Sequence, residues 1–448
     1  MKIIIIGASA IGSHLARLLS RSNQDIILID EDADQLNSIS SDYDLMTLHA
    51  SPTDIKSLRD AGAGHADLFI AVTPDENVNI NCCVMAHTMG AVKTVAQIDR
   101  YSYVSPENAK FFQRMGIDTL IYPEMLAARD IINGLKMSWV RQRWDVHDGS
   151  LVMLGIKLRE SCEILNQPLK KLCGPQDPYH VVAIKRNGDT IIPGGDDELK
   201  LYDIVYFMTM KNYIPYIRKI VGKEHYADVK NVMIMGGGKT AIRAALTMPE
   251  YMNAKIIEVN ERQCEYLNDA LEDNNTMVIN GDGRDLDLLL DENIGNTQAF
   301  VALTGNAETN ILACLTAKRL GVRKTIAMVE NSNYASMAES LVIGTIINKK
   351  VLAAGSIYQM MLDADVQNIR FLMSANADVA EFTAQKGSKV TRKKVFELGL
   401  PRGTTIGGLV RGKTGMLVSG GTQIEAGDIV VVFCHDVNMK KIEKFFTT

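Results

Sequence analysis

The feature that most constrains the fold of this 448-residue chain is an internal repeat. Lys2-Ile3-Ile4-Ile5-Ile6-Gly7 is answered by Asn231-Val232-Met233-Ile234-Met235-Gly236, with the two glycines 229 positions apart. Each is a short apolar run entering a Gly turn, the pattern of a buried parallel strand. The register then holds. Ile26-Ile27-Leu28-Ile29-Asp30 answers to Lys255-Ile256-Ile257-Glu258, and Phe69-Ile70-Ala71-Val72-Thr73 to Phe300-Val301-Ala302-Leu303-Thr304. Val95-Ala96-Gln97-Ile98 answers to Ile326-Ala327-Met328-Val329, and all separations fall between 228 and 231. Helical spacing from Ile11 to Leu19 and from Ala241 to Met248 fills the gaps. Strands alternating with helices imply βαβ units, a parallel sheet and right-handed crossovers.

The stretch after each block is also repeated. Ile191-Ile192-Pro193-Gly194-Gly195 pairs with Leu417-Val418-Ser419-Gly420-Gly421, and Asp203-Ile204-Val205 with Asp428-Ile429-Val430. Short β-like runs and Gly turns predict a small α+β domain behind each larger one. The fold expected is α/β, with two tandem Rossmann-like, doubly wound parallel-sheet domains at 1–138 and 228–355. Small domains would follow at 139–224 and 362–448.

Where the first strand of a dinucleotide fold ends, a G-x-G-x-x-G turn brings pyrophosphate onto backbone amides at a helix N-terminus. The first copy reads Gly7-Ala8-Ser9-Ala10-Ile11-Gly12, with Ser9 in place of the middle Gly. Its Cβ narrows the space for the pyrophosphate. The second reads Gly236-Gly237-Gly238-Lys239-Thr240-Ala241. Asp30 and Glu258 close the second strand of each copy, where a carboxylate accepts ribose hydroxyls and repels a 2′-phosphate, favouring NAD over NADP. Thr73 and Pro74, with Thr304 and Gly305, end the next matched strand, where open parallel sheets place ligand contacts. Asn79 and Asn310 suit a hydrogen bond to ligand or backbone, or a helix cap.

Other functions are disfavoured. Forty-eight basic against 53 acidic side chains, with only short basic clusters at Arg392-Lys393-Lys394 and Lys440-Lys441, argue against nucleic-acid binding. No apolar run is long enough to span a bilayer, so the expectation is a protein that is neither membrane-spanning nor exported. The seven cysteines lack disulfide or zinc spacing, which predicts reduced thiols and no metal site. Gly238-Lys239-Thr240 resembles a P-loop end, but Met233 stands where its first Gly belongs. His147, His180 and His435 are scattered without a repeated carboxylate partner, so no catalytic residue is assigned. The residues leave three readings open: a regulatory subunit, an NAD-dependent oxidoreductase, and a soluble nucleotide sensor of another partner.

With these motifs, and with Ala71-Val72-Thr73-Pro74-Asp75-Glu76-Asn77-Val78-Asn79, the whole chain resembles the TrkA-type regulatory subunits of bacterial Trk potassium-uptake systems. That family carries two tandem RCK (KTN) units, each a Rossmann domain followed by a small C-terminal domain. The resemblance implies a first NAD site lined by Gly7 to Ile11, Asp30, Thr73, Pro74 and Ile98. A second would be lined by Gly236 to Thr240, Glu258, Thr304, Gly305 and Val329. It further implies NAD or NADH as cofactor, with ATP or ADP as alternative occupants, and regulation without turnover. The partner would be a membrane-embedded potassium-translocating subunit, met on the cytoplasmic face of the inner membrane. A homo-oligomer, dimer or tetramer ring, is expected, with the helix-like segment Met125 to Leu135 crossing to a neighbouring unit. Three departures stand out: Ser9; Gln97 and Met328, where Arg is frequent; and Tyr202, where Gly usually precedes Asp.

Overall fold

The computed structural model describes all residues except 21–23, 42, 44, 175–176, 332–333, 335–336, 339–340, 342, 361–365, 373–376 and 436–438. The expected start of the last block at residue 362 lies outside the described residues.

The first sheet is built from β1 (Lys2–Ile6), β2 (Asp25–Asp30), β3 (Met46–His49), β4 (Leu68–Ala71), β5 (Thr94–Gln97) and β6 (Thr119–Ile121). Its strands are parallel, in the order β3-β2-β1-β4-β5-β6. The second is antiparallel, from β7 (Gln142–Val146), β8 (Leu151–Lys157), β9 (Tyr179–Arg186), β10 (Asp189–Ile191) and β11 (Ile204–Thr209), ordered β10-β9-β11-β8-β7. The third repeats the first with β12 (Asn231–Met235), β13 (Asn253–Glu258), β14 (Thr276–Asn280), β15 (Ala299–Ala302), β16 (Lys324–Met328) and β17 (Thr345–Ile347), ordered β14-β13-β12-β15-β16-β17. The fourth, again antiparallel, holds β18 (Val366–Leu372), β19 (Ala377–Thr383), β20 (Thr404–Arg411), β21 (Thr414–Leu417) and β22 (Ile429–His435), ordered β18-β19-β22-β20-β21. Both parallel sheets thus reverse direction beside their first strand, which is where doubly wound folds bind nucleotides.

The central strands read as unbroken apolar runs because helices cover both faces. Ile3, Ile4, Ile5 and Ile6 are fully buried, as are Phe300, Val301 and Ala302.

Two compact units emerge, Met1–Leu126 with Lys350–Asp363, and Ala127–Lys349 with Ala364–Thr448. The first contains the first sheet and takes most of the helix Lys349–Gln359, which follows β17 in sequence. The second contains the other three sheets and takes Ala127–Leu135, the greater part of the helix Pro123–Leu135 that follows β6. There Gly134 lies against Ile326 and Lys324. Each compact unit therefore holds a parallel sheet together with a helical segment from the other half of the sequence.

Within the second unit the two antiparallel sheets share one core. Met153, Tyr206 and Met208 from one sheet cluster with Val379, Val410, Val431 and Phe433 from the other. Each small domain also repeats one buried ion pair. Asp203, 2% exposed, accepts from Arg186 Nε at 2.9 Å and Nη2 at 2.7 Å and from Lys200 N at 2.7 Å. Asp428, 1% exposed, accepts from Arg411 Nε at 2.9 Å and Nη2 at 2.8 Å and from Glu425 N at 2.8 Å.

Among the described residues no helix is long and apolar enough to cross a membrane, and no group of three His, Cys, Asp or Glu side chains is placed to hold a metal. No disulfide joins the seven cysteines, and burial pushes the Cys82 and Cys314 thiols up to about 12.

Candidate dinucleotide clefts

After β1 and β12 the chain must turn sharply into a helix. Gly7 (φ +99°) and Gly236 (φ +97°) take left-handed backbone there, and a Cβ on Gly7 would stand 2.9 Å from Thr73 N. The helices Ala10–Ser20 and Lys239–Leu246 follow. A Cβ on Gly12 would fall 1.9 Å from Gly7 O, so that position admits only glycine, whereas its counterpart Ala241 is accommodated as a fully buried residue.

The two turns are held by the acids that sequence placed beside them. Asp30 Oδ2 accepts from Ala8 N at 2.6 Å, and its Oδ1 from Asp32 N at 2.8 Å. Glu258 repeats both bonds, Oε2 from Gly237 N at 2.7 Å and Oε1 from Asn260 N at 2.8 Å. Each carboxylate oxygen retains a second lone pair that a ribose hydroxyl can use. One side chain thereby fixes the turn in each copy.

Copy one differs at Ser9. Its hydroxyl donates to Val72 O at 2.7 Å and accepts from Gly12 N at 3.4 Å. The serine therefore engages one of the helix's first N–H groups, which a phosphate would otherwise meet. At the matching position of copy two, a Cβ on Gly238 would meet nothing within 4 Å, and the glycine caps its helix without a side-chain bond. Lys239 next to it is exposed.

Thr73 and Thr304 stand at the ends of β4 and β15, and the asparagines six residues on take neither the ligand nor the cap role. Asn79 Oδ1 accepts from Thr73 N and Oγ1 at 2.8 and 2.7 Å, and its Nδ2 donates to Thr73 O and Gln97 O at 2.9 and 3.0 Å. Asn310 makes the same four bonds to Thr304 and Met328 O. Each is a clip joining two strand ends, while Asp75 and Asn306 cap the helices. Asn310→Ala would strand the buried Met328 carbonyl and the N–H and C=O of half-buried Thr304, and is expected to cost about 1–3 kcal/mol, read as a lowered urea midpoint.

In the second unit a cleft of about 430 Å³ opens beside the turn. Gly236, Glu258, Thr304 and Gly305 line it, together with Met235, Ile257 and Thr309. That volume suits a nucleotide-sized ligand. Pro74 is exposed, whereas Ile98 and Val329 are 1% and 0% exposed, with side chains in the core and backbone N–H groups bonded to Ile121 O and Ile347 O. Val329 is thus away from the cleft lining.

Sequence reasoning missed the loop after β14, where Asp282, Gly283 and Arg284 form one wall of the cleft. Arg284 forks onto Asp282, Nε to Oδ1 at 3.0 Å and Nη2 to Oδ2 at 2.7 Å. That bond holds the Asp282 carboxyl below its ordinary range and the guanidinium above its own. A second miss is Glu76, 8% exposed, which accepts from Asp99 N and Arg100 N at 2.8 and 3.1 Å and pins the loop after β5.

Two Rossmann-type sheets with acid-held Gly turns, paired with two small antiparallel domains, define a tandem protein of the dinucleotide-fold class. Residues 3–123 and 232–349 match the TrkA-N domain and residues 379–447 the TrkA-C domain, so the chain belongs to the TrkA family. It is 30% identical to the Trk system potassium uptake protein TrkA of Halomonas elongata, with 100% of this chain and 98% of that protein aligned. The protein of the same name from Vibrio alginolyticus is 31% identical, over 99% and 97%. Among solved structures, the GsuK RCK domain shares the fold at a TM-score of 0.60 and 14% identity, over 99% of this chain and 94% of that one.

Proposed function

We propose that this chain is the nucleotide-binding regulatory subunit of a Trk-type potassium-uptake transporter, acting without turnover. Membership of the TrkA family supports the transport role. The observation that carries the nucleotide role is the duplicated carboxylate clamp, Asp30 on Ala8 N and Glu258 on Gly237 N, beside a helix N-terminus. NAD or NADH is the proposed ligand, with ATP and ADP as alternatives. Gly7 to Gly12, Asp30, Thr73 and Pro74 would meet it in the first copy, through backbone amides and one carboxylate. Gly236 to Thr240, Glu258, Thr304 and Gly305 would do so in the second, with Ile98 and Val329 supporting the two floors from within the core. The sequence blocks 1–138, 139–224, 228–355 and 362–448 remain the proposed evolutionary domains.

The partner is a membrane-embedded potassium-translocating subunit at the cytoplasmic face of the inner membrane, with this chain in a homo-oligomeric ring. A nucleotide shifts such an assembly only through unequal affinity for its two states. The cleft lining supports holding over chemistry: it offers Glu258, Asp282, Arg284 and threonines, with no His, Tyr or Lys among the described lining residues.

Tagged full-length chain, expressed with its own membrane fraction, is expected to co-purify with a multi-spanning potassium transporter and to bind NADH saturably without oxidising it. Recovery without any transporter would point to a soluble sensor, and NADH consumption with a 2-hydroxy acid or aldehyde pair to an oxidoreductase.

A further inference from the structure

The last small domain carries a surface whose charge runs against that of the chain. The formal net charge is −5 overall. Yet Lys389, Arg392, Lys393 and Lys394 are exposed on the segment after β19, and Lys441 and Lys444 on the helix Met439–Phe446.

The two segments form one surface. Gln385 N donates to Phe446 O at 3.0 Å and Thr448 N to Gln385 Oε1 at 3.3 Å, which ties the segment after β19 to the helix. Lys389 Nζ stands 5.2 Å from the centroid of the Phe445 ring. Lys441 lies one turn before Phe445, on the same face of that helix. Around Gly387, the place a Cβ would take is 4.0 Å from Arg392 Nη2 and 3.7 Å from Thr448 Cγ2.

No acid neutralises these cations. Among the described residues none of the six pairs with a carboxylate. The stretch 386–396 holds no Asp or Glu, and the helix's one acid, Glu443, is 8% exposed. Phe396, 68% exposed, ends the basic run, and the first acid, Glu397, follows it.

The first small domain shows that the fold does not require this charge. Its bonds from Leu158 N to Asp203 O and from Lys170 N to Gly195 O recur as Ala384 N to Asp428 O and Phe396 N to Gly420 O. Both donors lie 226 positions further on. Within that frame Glu163, Asn166, Gln167 and Pro168 occupy the positions of Lys389, Arg392, Lys393 and Lys394. The same segment is acidic or neutral in one copy and basic in the other.

We propose that these six cations, with Phe396 as an apolar tip, dock the last small domain onto an anionic phospholipid surface. Each cation held near such a surface adds about fivefold to the affinity. An exposed aromatic side chain beside them suits the boundary between headgroups and acyl chains. Five of the six are lysines, point charges without the forked geometry that selects a single phosphate, which fits a diffuse layer of headgroups. Salt screens exposed charges, so the contact loosens as potassium salts accumulate. Such docking rests on the transport reading only for the nearness of a membrane, and pure lipid tests it without a transporter.

The test is sedimentation of the full chain with vesicles of phosphatidylglycerol and phosphatidylcholine in equal parts, and with phosphatidylcholine alone. The expected result is binding to the anionic vesicles only, weakened about tenfold or more as KCl rises from about 50 to about 500 mM. Lys393→Gln combined with Lys394→Gln is expected to lose about tenfold or more, with melting temperature and NADH affinity unchanged. Phe396→Ser is expected to lose about threefold or more. Lys110→Gln combined with Arg114→Gln removes equal charge from the exposed face of the helix Pro106–Arg114 and is expected to bind as the parent does. Equal binding to neutral vesicles, no binding to anionic ones at the lower salt, or a Lys393 and Lys394 double variant that binds like the parent would overturn the proposal. So would tighter capture of duplex DNA or polyglutamate than of anionic vesicles, which would mark a nucleic-acid or protein surface. A changed oligomeric state in the double variant would assign the patch to a contact between copies and overturn it as well. Because the vesicles hold no transporter, their result is independent of co-purification with one.

Discussion

Arg411→Ala is expected to destabilise the second unit by about 2–4 kcal/mol. The reason lies with the partner it leaves behind. Asp428 is 1% exposed and depends on the guanidinium fork, with Glu425 N donating beside it. Removing the arginine strands a buried charge, and that penalty exceeds the worth of the bond itself. Arg411 is 35% exposed, so water offsets part of the loss and the upper end of the usual range for broken buried pairs is not reached. Glu425 also contacts Arg411, at 2.6 Å, but it is 61% exposed, so Glu425→Ala should change stability by less than about 1 kcal/mol. Arg186→Ala should repeat the larger effect through Asp203, with Arg186 32% and Asp203 1% exposed as side chains. Because both small sheets share one core, chemical denaturation should show either variant unfolding that paired core as one transition. Equal midpoints for Arg411→Ala and Glu425→Ala would show that the buried carboxylate was never the sensitive group.

The Gly turns and their acids were legible because the repeat made them so, whereas of the buried ion pairs only the matched Asp203 and Asp428 stood out and their arginine partners did not. Gly7 with Gly236 and Asp30 with Glu258 occupy matched positions after apolar strands, where period and spacing speak directly. The loop of Asp282 and Arg284 was missed because its strand is a sheet edge. Met46 and Met277, on the corresponding edge strands β3 and β14, are 62% and 57% exposed, so neither strand writes an unbroken apolar run. Asn79 and Asn310 could not be read alone, since their four bonds depend on β4 lying beside β5 and β15 beside β16. Lys324 begins a strand, where sequence suggests a solvated ammonium; its burial arises from Val140 and Arg141, more than 180 residues away. The helices taken by the opposite compact unit are likewise a matter of long-range contact, beyond what local pattern encodes.

Glu258→Ala is expected to weaken NADH binding about tenfold or more at the second cleft, by two routes that can be separated. The carboxylate is the proposed acceptor for ribose hydroxyls, and it also holds Gly237 N and Asn260 N in the turn that would meet the pyrophosphate. Glu258→Gln keeps one oxygen to hold the turn but removes the charge. If charge at the sugar dominates, Gln should lose most of the NADH affinity and narrow the preference over NADPH, since the repulsion of a 2′-phosphate goes with it. If holding the turn dominates, Gln, which keeps one of the two acceptors, should retain clearly more affinity than Ala. The first copy gives the internal comparison: Asp30 makes the equivalent bond to Ala8 N, but Ser9 already engages Gly12 N. Ser9→Gly should therefore raise affinity at the first site and leave the second unchanged. Titration of Asp30→Ala, Glu258→Ala and the double variant by fluorescence would assign each site its share. A double variant that bound NADH as the parent does would remove both acids from nucleotide recognition.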